Sequence, residues 1–213
     1  MTALRLHPAL TLSALALLAA CGGAGVPLTP APLPVPVPTQ PADRLSLAEI
    51  ERVQTQIKPF YDAASITPKS QVPVTGGATY RGYVQGDMTV PGRSTDVSGV
   101  MEMGVNFGTN RVGGTVGNLV TSQGAPIDGV LTLRNGQLDR TLNRSQVTIL
   151  SDVGGTLRTS AGETVFVDGS VTRGGFKGPR GEFAGVPMTG SIAVDNGSVT
   201  QSGTFGLTGI LAR

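Results

Sequence analysis

Tryptophan is absent from the 213 residues, cysteine and histidine occur once each, and only 14% of the chain is charged. Each scarcity removes a class of chemistry. The single cysteine, Cys21, allows no internal disulfide. The one histidine, His7, falls inside a segment that reads as a cleaved leader, so the mature chain is expected to contain none. Without histidine, and with no thiol beyond Cys21, there is no Ser-His-Asp or Cys-His nucleophile pair and no His- or Cys-ligated zinc, haem or copper site. Carboxylate-only catalysis survives that exclusion, but nothing in the spacing of Asp128, Asp139, Asp152, Glu163 and Asp168 selects an acid and a base. A formal net charge of +2 provides no dominant basic field for nucleic acid. The expectation is a monomeric protein that is not an enzyme, has no cofactor or metal, and does not bind nucleic acid.

What is present begins with a leader. Arg5 precedes the apolar stretch from Leu10 to Ala20, which is too short to span as a mature helix and reads as a secretory signal over residues 1–20. The stretch ends in Leu18-Ala19-Ala20-Cys21-Gly22, which resembles the lipobox of bacterial lipoproteins. That resemblance implies a lipidated Cys21 as the mature N-terminus. Each buried CH₂ of its acyl chains contributes about 0.8 kcal/mol, enough in sum to hold the protein on a membrane. Gly22 stands where an Asp would resemble an inner-membrane retention signal, so the outer membrane is the expected destination, with the periplasmic face and the cell surface both left open by these residues. Residues 21–44 then form a linker in which Pro27, Pro30, Pro32, Pro34, Pro36, Pro38 and Pro41 favour polyproline II, a semi-rigid spacer rising about 3.1 Å per residue.

Residues 45–70 read as a helix and connector. Ser46 and Glu49 form a capping box, and Leu47, Ile50, Val53 and Ile57 follow at helical spacing. The spacing predicts a helix from about Leu47 to Lys58, limited by Pro59, with Phe60 and Tyr61 docking it onto the domain.

From Thr79 the hydrophobic period changes from helical to two. Met101, Met103, Val105 and Phe107 alternate with Glu102, Gly104 and Asn106, and similar runs recur to Phe205 and Leu207. Turn signals stand at Thr109-Asn110, Ser122-Gln123-Gly124, Asn135-Gly136, Ser160-Ala161-Gly162 and Asn196-Gly197. Strands are predicted near Tyr80, Met103, Val116, Leu131, Ile149 to Leu157, Val167, Met188 and Phe205. A meander of this count closes by removing its exposed edges, giving an all-β, eight-stranded antiparallel up-and-down barrel over residues 71–213. Glycines inside the strands allow the sharp coiling of a narrow barrel. Seven aromatics from Tyr80 to Phe205 are too few for the two girdles of a membrane-spanning barrel, so the wall is expected to face water and the interior to be apolar.

Three stretches then carry a resemblance: Val105-Asn106-Phe107-Gly108 through Gly113-Gly114-Thr115-Val116, Gly175-Phe176-Lys177-Gly178-Pro179 through Glu182, and Gly203-Thr204-Phe205-Gly206. Together they are similar to the β-barrel domain of transferrin-binding protein B and related surface lipoproteins. The resemblance implies the barrel, the surface-lipoprotein habit, and capture in nutrient acquisition, often of iron or haem. It departs from the family at Asn106, at the Arg180-Gly181-Glu182 continuation and in having one barrel, so transferrin binding itself is not carried over.

Two groups of cations are the candidate partner-binding loops. Arg134, Arg140 and Arg144 surround one hairpin, and Arg173, Lys177 and Arg180 surround another. If both lie at one barrel end, they would recognise carboxylates or an acidic partner surface. Tyr80 and Tyr83, three apart on a strand, should face opposite sides, and a haem-ligating tyrosine would need a hydrophobic cleft around it. Met101 and Met103 read as core filling. The leading expectation is a surface lipoprotein that captures a protein or nutrient through its loops. The alternatives are a carrier with a small apolar ligand in the lumen and a structural envelope lipoprotein.

Overall fold

Period-two alternation becomes eight strands that close on themselves. The computed structural model describes residues 44–213; the leader, Cys21 and the tether before Arg44 lie outside the described residues. The strands are β1 (Gly77–Val90), β2 (Arg93–Asn106), β3 (Arg111–Thr121), β4 (Pro126–Asp139), β5 (Thr148–Thr159), β6 (Thr164–Lys177), β7 (Phe183–Asp195) and β8 (Thr200–Ala212). Each pairs antiparallel with the next, and β1 returns to β8 from Arg81↔Ala212 to Thr89↔Thr204. Closure leaves no open sheet edge, as the meander predicts.

Alternate residues point into the lumen. Tyr80, Met101, Met103, Leu131, Ile149, Leu157, Met188, Leu207 and Leu211 are all essentially inaccessible and belong to one continuous core. The two methionines are core filling, as expected. The outer wall carries Arg81, Glu102, Asp152 and Asp168 within β1, β2, β5 and β6, side chains that would be costly against lipid. The wall therefore suits water, and no helix among the described residues is long and apolar enough to cross a membrane.

Narrow coiling depends on glycine at close backbone approaches. A Cβ on Gly155 would stand 2.3 Å from the Val130 carbonyl oxygen, and one on Gly190 would stand 2.3 Å from that of Asp168. Neighbouring strands could not keep those positions with any larger residue.

The helix α1 spans Leu47–Ala63. Its capping box is complete, with the Ser46 side chain accepting from the Glu49 N–H and the Glu49 carboxylate accepting from the Ser46 N–H at 2.8 Å. The stop expected at Pro59 does not occur. Proline removes one N–H, the one that would bond the Thr55 carbonyl, and docking of the following turn outweighs that loss. Tyr61 packs edge-on against Phe183 at 6.4 Å, with the Lys177 ammonium 4.3 Å over its ring and donating to its carbonyl at 3.0 Å. Phe60 does not dock; it is 67% exposed. The apolar stripe Leu47, Ile50, Val53, Ile57 and Tyr61 covers Tyr83, Val100, Val120 and Ile210 on the outside of the barrel.

A second correction concerns Asn135-Gly136, which is a bulge inside β4 and not a hairpin turn. The β4–β5 register shifts between Arg134 and Gln137, and Asn135 takes the left-handed conformation at φ 53°. A bulge and a tight turn both require that conformation, and asparagine satisfies either. Beyond the bulge the strand continues and buries Leu138, so the true connection is 140–147. The other four turn signals fall between strands, as expected.

Chain parity gives the barrel two unlike ends. The hairpin end holds the β1–β2, β3–β4, β5–β6 and β7–β8 turns, and α1 starts there, where the Leu45 N–H donates to Asn118 and the Arg44 guanidinium meets the Asp128 carboxylate. The loop end holds the β2–β3, β4–β5 and β6–β7 connections. Residues 64–76 cross that loop end and close it. The Thr67 N–H donates to the Phe176 carbonyl at 3.0 Å and its hydroxyl to that of Gly178 at 2.6 Å, while the Lys69 N–H donates to Ser145 at 2.9 Å. Val72 inserts into the lumen core.

Candidate functional site

The β4–β5 and β6–β7 connections lie at the same end of the barrel, so the two candidate groups of cations are brought together there in part. Arg140, Arg144, Lys177 and Arg180 are at the loop end; Arg134 and Arg173 sit on the outer wall of β4 and β6. Among the four at the loop end, two have internal work. The Arg140 guanidinium donates to Asn110 Oδ1 at 2.9 Å and to the Pro73 carbonyl at 2.6 Å, pinning the crossing segment, and Lys177 holds the end of α1. Arg144 and Arg180 are exposed and have no acidic partner among the described residues. Arg134 lies across Gly154, and Arg173 is exposed beside the β6–β7 register shift.

Sequence reading missed Lys69 and Arg111, which share the loop end. Lys69 arrives on the crossing segment, and Arg111 opens β3 directly after the Asn110 turn. Parity was the available signal: every residue in an even-to-odd strand connection of a meander shares one end. The acids among the described residues at this end are Asp139 at the end of β4, Glu182, and Asp62 on the last turn of α1, which pairs with Lys58. Asp139 is not a free charge. Its carboxylate accepts from the Thr141 N–H at 2.6 Å, the Thr141 hydroxyl at 2.9 Å and the Leu142 N–H at 2.7 Å. Bonding to those amides holds its pKa below the usual carboxylate range and fixes the start of the 140–147 loop. The hairpin end has the opposite bias, with Asp87, Asp96, Asp128, Glu163 and Asp195 against Arg44, Arg93 and Arg158; there Arg93 pairs with Glu163 at 3.0 Å and Arg44 with Asp128.

The two tyrosines face opposite sides, as their spacing requires. Tyr80 points into the lumen and donates to the Gly181 carbonyl at 2.6 Å, and burial pushes its pKa up to about 12. Tyr83 points outward beneath α1, where its hydroxyl has no partner among the described residues and burial, with Asp62 adding to it, pushes its pKa up to about 12. Neither hydroxyl faces an open hydrophobic cleft of the kind a haem iron requires.

The five acids do not converge. Asp128 meets Arg44, Asp139 caps its loop, Asp152 accepts from Asn135 at 2.8 Å, Glu163 pairs with Arg93, and Asp168 stands on the wall of β6. Among the described residues no three His, Cys, Asp or Glu side chains gather as a metal-binding group. A surface cleft of about 220 Å³ lies beside the start of α1, between Arg44, Asn118 and Asp128, at the hairpin end and away from the cationic loops. The lumen itself is occupied by side chains.

No family model matches the sequence, and no curated protein matches it. Among solved structures, this chain is similar to a single-site mutant of the vaccine antigen transferrin binding protein B from Haemophilus parasuis Hp5, with 18% identity and a TM-score of 0.41. The likeness covers 70% of this chain and 29% of that one.

Proposed function

We propose that the chain is a lipid-anchored, non-enzymatic binding module of the bacterial outer membrane and cell surface, which captures a protein or nutrient ligand through the loop end of its barrel. The lipobox ending in Cys21 and the Pro-rich run after it support the anchor and the stand-off. The observation that carries the binding role is the coincidence of Arg144, Arg180, Lys69 and Arg111 at one end of a barrel whose interior is already filled. A ligand in the lumen would have to displace close-packed core residues, so capture belongs on the outside. Exposed guanidinium groups on a rigid scaffold select carboxylates or an acidic surface. On the family resemblance, carriers of iron or haem are the first ligands to try.

The test is a pull-down with residues 44–213, which close their own sheet and core, immobilised against envelope extract, spent medium and serum. Bound proteins and small molecules are identified by mass spectrometry. A specific partner, lost on the double substitution Arg144→Glu and Arg180→Glu, supports capture at the loop end. A blank in all three sources contradicts it and favours the structural envelope role.

A further inference from the structure

Six large hydrophobic side chains are exposed among the described residues, and four of them, Phe60, Ile66, Val74 and Leu142, are at the loop end. Ile66, Val74 and Leu142 are 52%, 67% and 67% exposed, and each belongs to a segment that is otherwise well ordered by hydrogen bonds. Leu142 is held out by its own N–H bond to Asp139, and Ile66 lies in a bridge with Lys177 whose neighbour Thr67 is anchored to Phe176 and Gly178. Val74 follows the Pro73 carbonyl that Arg140 grips. The exposure is thus built into the fold, and it coincides with Arg144 and Arg180, which have no acidic partner among the described residues.

We infer that the loop end docks a folded protein whose acidic surface also presents apolar pockets, with Leu142 and Ile66 as anchors inside a rim of Arg144, Arg180, Lys69 and Arg111. The inference rests on the reading of this end as the capture site and adds the class of partner. Charge complementarity requires an acidic occupant. A highly charged glycan or small anion would leave the leucine and isoleucine in water, whereas a protein surface buries such anchors and exposes the polar rim. Arg44, the first described residue, lies at the opposite, hairpin end beside Asp128, so the chain enters the fold away from the loop end and leaves that surface uncovered by the residues that lead into α1. Because Leu142 is held by its N–H bond to the Asp139 carboxylate and Ile66 by the backbone bonds of Ser65 and Thr67 on either side, docking requires little ordering of the loops.

The test uses the full-length, anchored protein in its own cells, with a photo-crosslinking phenylalanine analogue placed at position 142, at position 66, or at wall position 166 as a control. The expected result is a discrete protein adduct at 142 and 66, absent at 166 and lost when Arg144→Glu and Arg180→Glu are added. Adducts confined to lipid or glycan, or no adduct at 142 and 66, overturn the inference. A second measurement separates it from the capture reading. If the partner found by pull-down is sensitive to charge reversal but binds Leu142→Ser with Ile66→Ser unchanged, capture stands and the apolar docking fails; the inference requires a loss of at least about tenfold. Both residues are exposed, so an unchanged melting temperature verifies that these variants fold.

Discussion

The hydroxyl of Tyr80 donates to the carbonyl of Gly181 across 2.6 Å, tying the inward face of β1 to the turn that carries Arg180. Three residues along, Tyr83 is equally buried, but its hydroxyl has no partner among the described residues. The same side chain on the same strand therefore has opposite energetic roles. Tyr80→Phe is expected to cost about 1–2 kcal/mol, because the Gly181 carbonyl is left without its donor in a dry site. Tyr83→Phe is expected to be neutral or to stabilise by about 1 kcal/mol, because it removes an unsatisfied polar group and keeps the ring. Urea denaturation of the two variants checks the sign.

Alkaline pH should expose the same pair. Both pKa values are pushed up to about 12, above the value near 10 of an unfolded tyrosine. Between those limits the folded protein keeps protons that the unfolded chain has lost, so stability is intact below pH 10 and falls as pH rises toward 12. The slope reaches at most about 1.4 kcal/mol per pH unit for each tyrosine. Unfolding midpoints measured from pH 8 to 11.5 should decline, and the Tyr80→Phe, Tyr83→Phe double variant should flatten the decline.

Glycine substitutions separate close approach from mere sequence. Gly155→Ala places a methyl group 2.3 Å from the Val130 carbonyl oxygen and should cost more than about 3 kcal/mol or prevent folding. Gly175→Ala meets nothing nearer than 3.8 Å and should stay within about 1 kcal/mol of the parent. Thermal melts of the two decide whether coiling of the barrel is what these positions serve.

The cations divide by role. Arg140→Ala removes the donors to Pro73 and Asn110 and should lower stability by about 1–3 kcal/mol through loosening of residues 64–76. Arg144→Ala touches no internal partner among the described residues and should leave the melt unchanged while weakening capture. Parallel melting and binding assays on the two variants test that division.

The eight strands and their order were legible because one face of each is buried and period two survives in the sequence, from Met101-Met103-Val105 to Phe205-Leu207. The Asn135-Gly136 bulge was not, since the left-handed residue it requires is the same one a hairpin turn requires, and only the buried Leu138 beyond it distinguishes them. Continuation of α1 through Pro59 was hidden for a different reason. It depends on Tyr61 meeting Phe183 and Lys177, contacts that join distant parts of the chain. The same holds for the crossing segment, whose Thr67 and Arg140 bonds span 111 and 67 residues. In the candidate site, the loops bearing Arg144 and Arg180 were identified, and strand parity placed them together. Lys69, Arg111 and the exposed Ile66, Val74 and Leu142 emerged only with the path of residues 64–76.

The central claim is that the loop end, and not the lumen, is the binding surface. Hydrogen–deuterium exchange of residues 44–213, with and without the partner recovered by pull-down, tests it most directly. The account predicts new protection in 140–147, in 178–182 and in 64–76, with the core strands unchanged. Protection centred on lumen-facing strand residues such as Leu131 and Met188, with the loops unaffected, would contradict it.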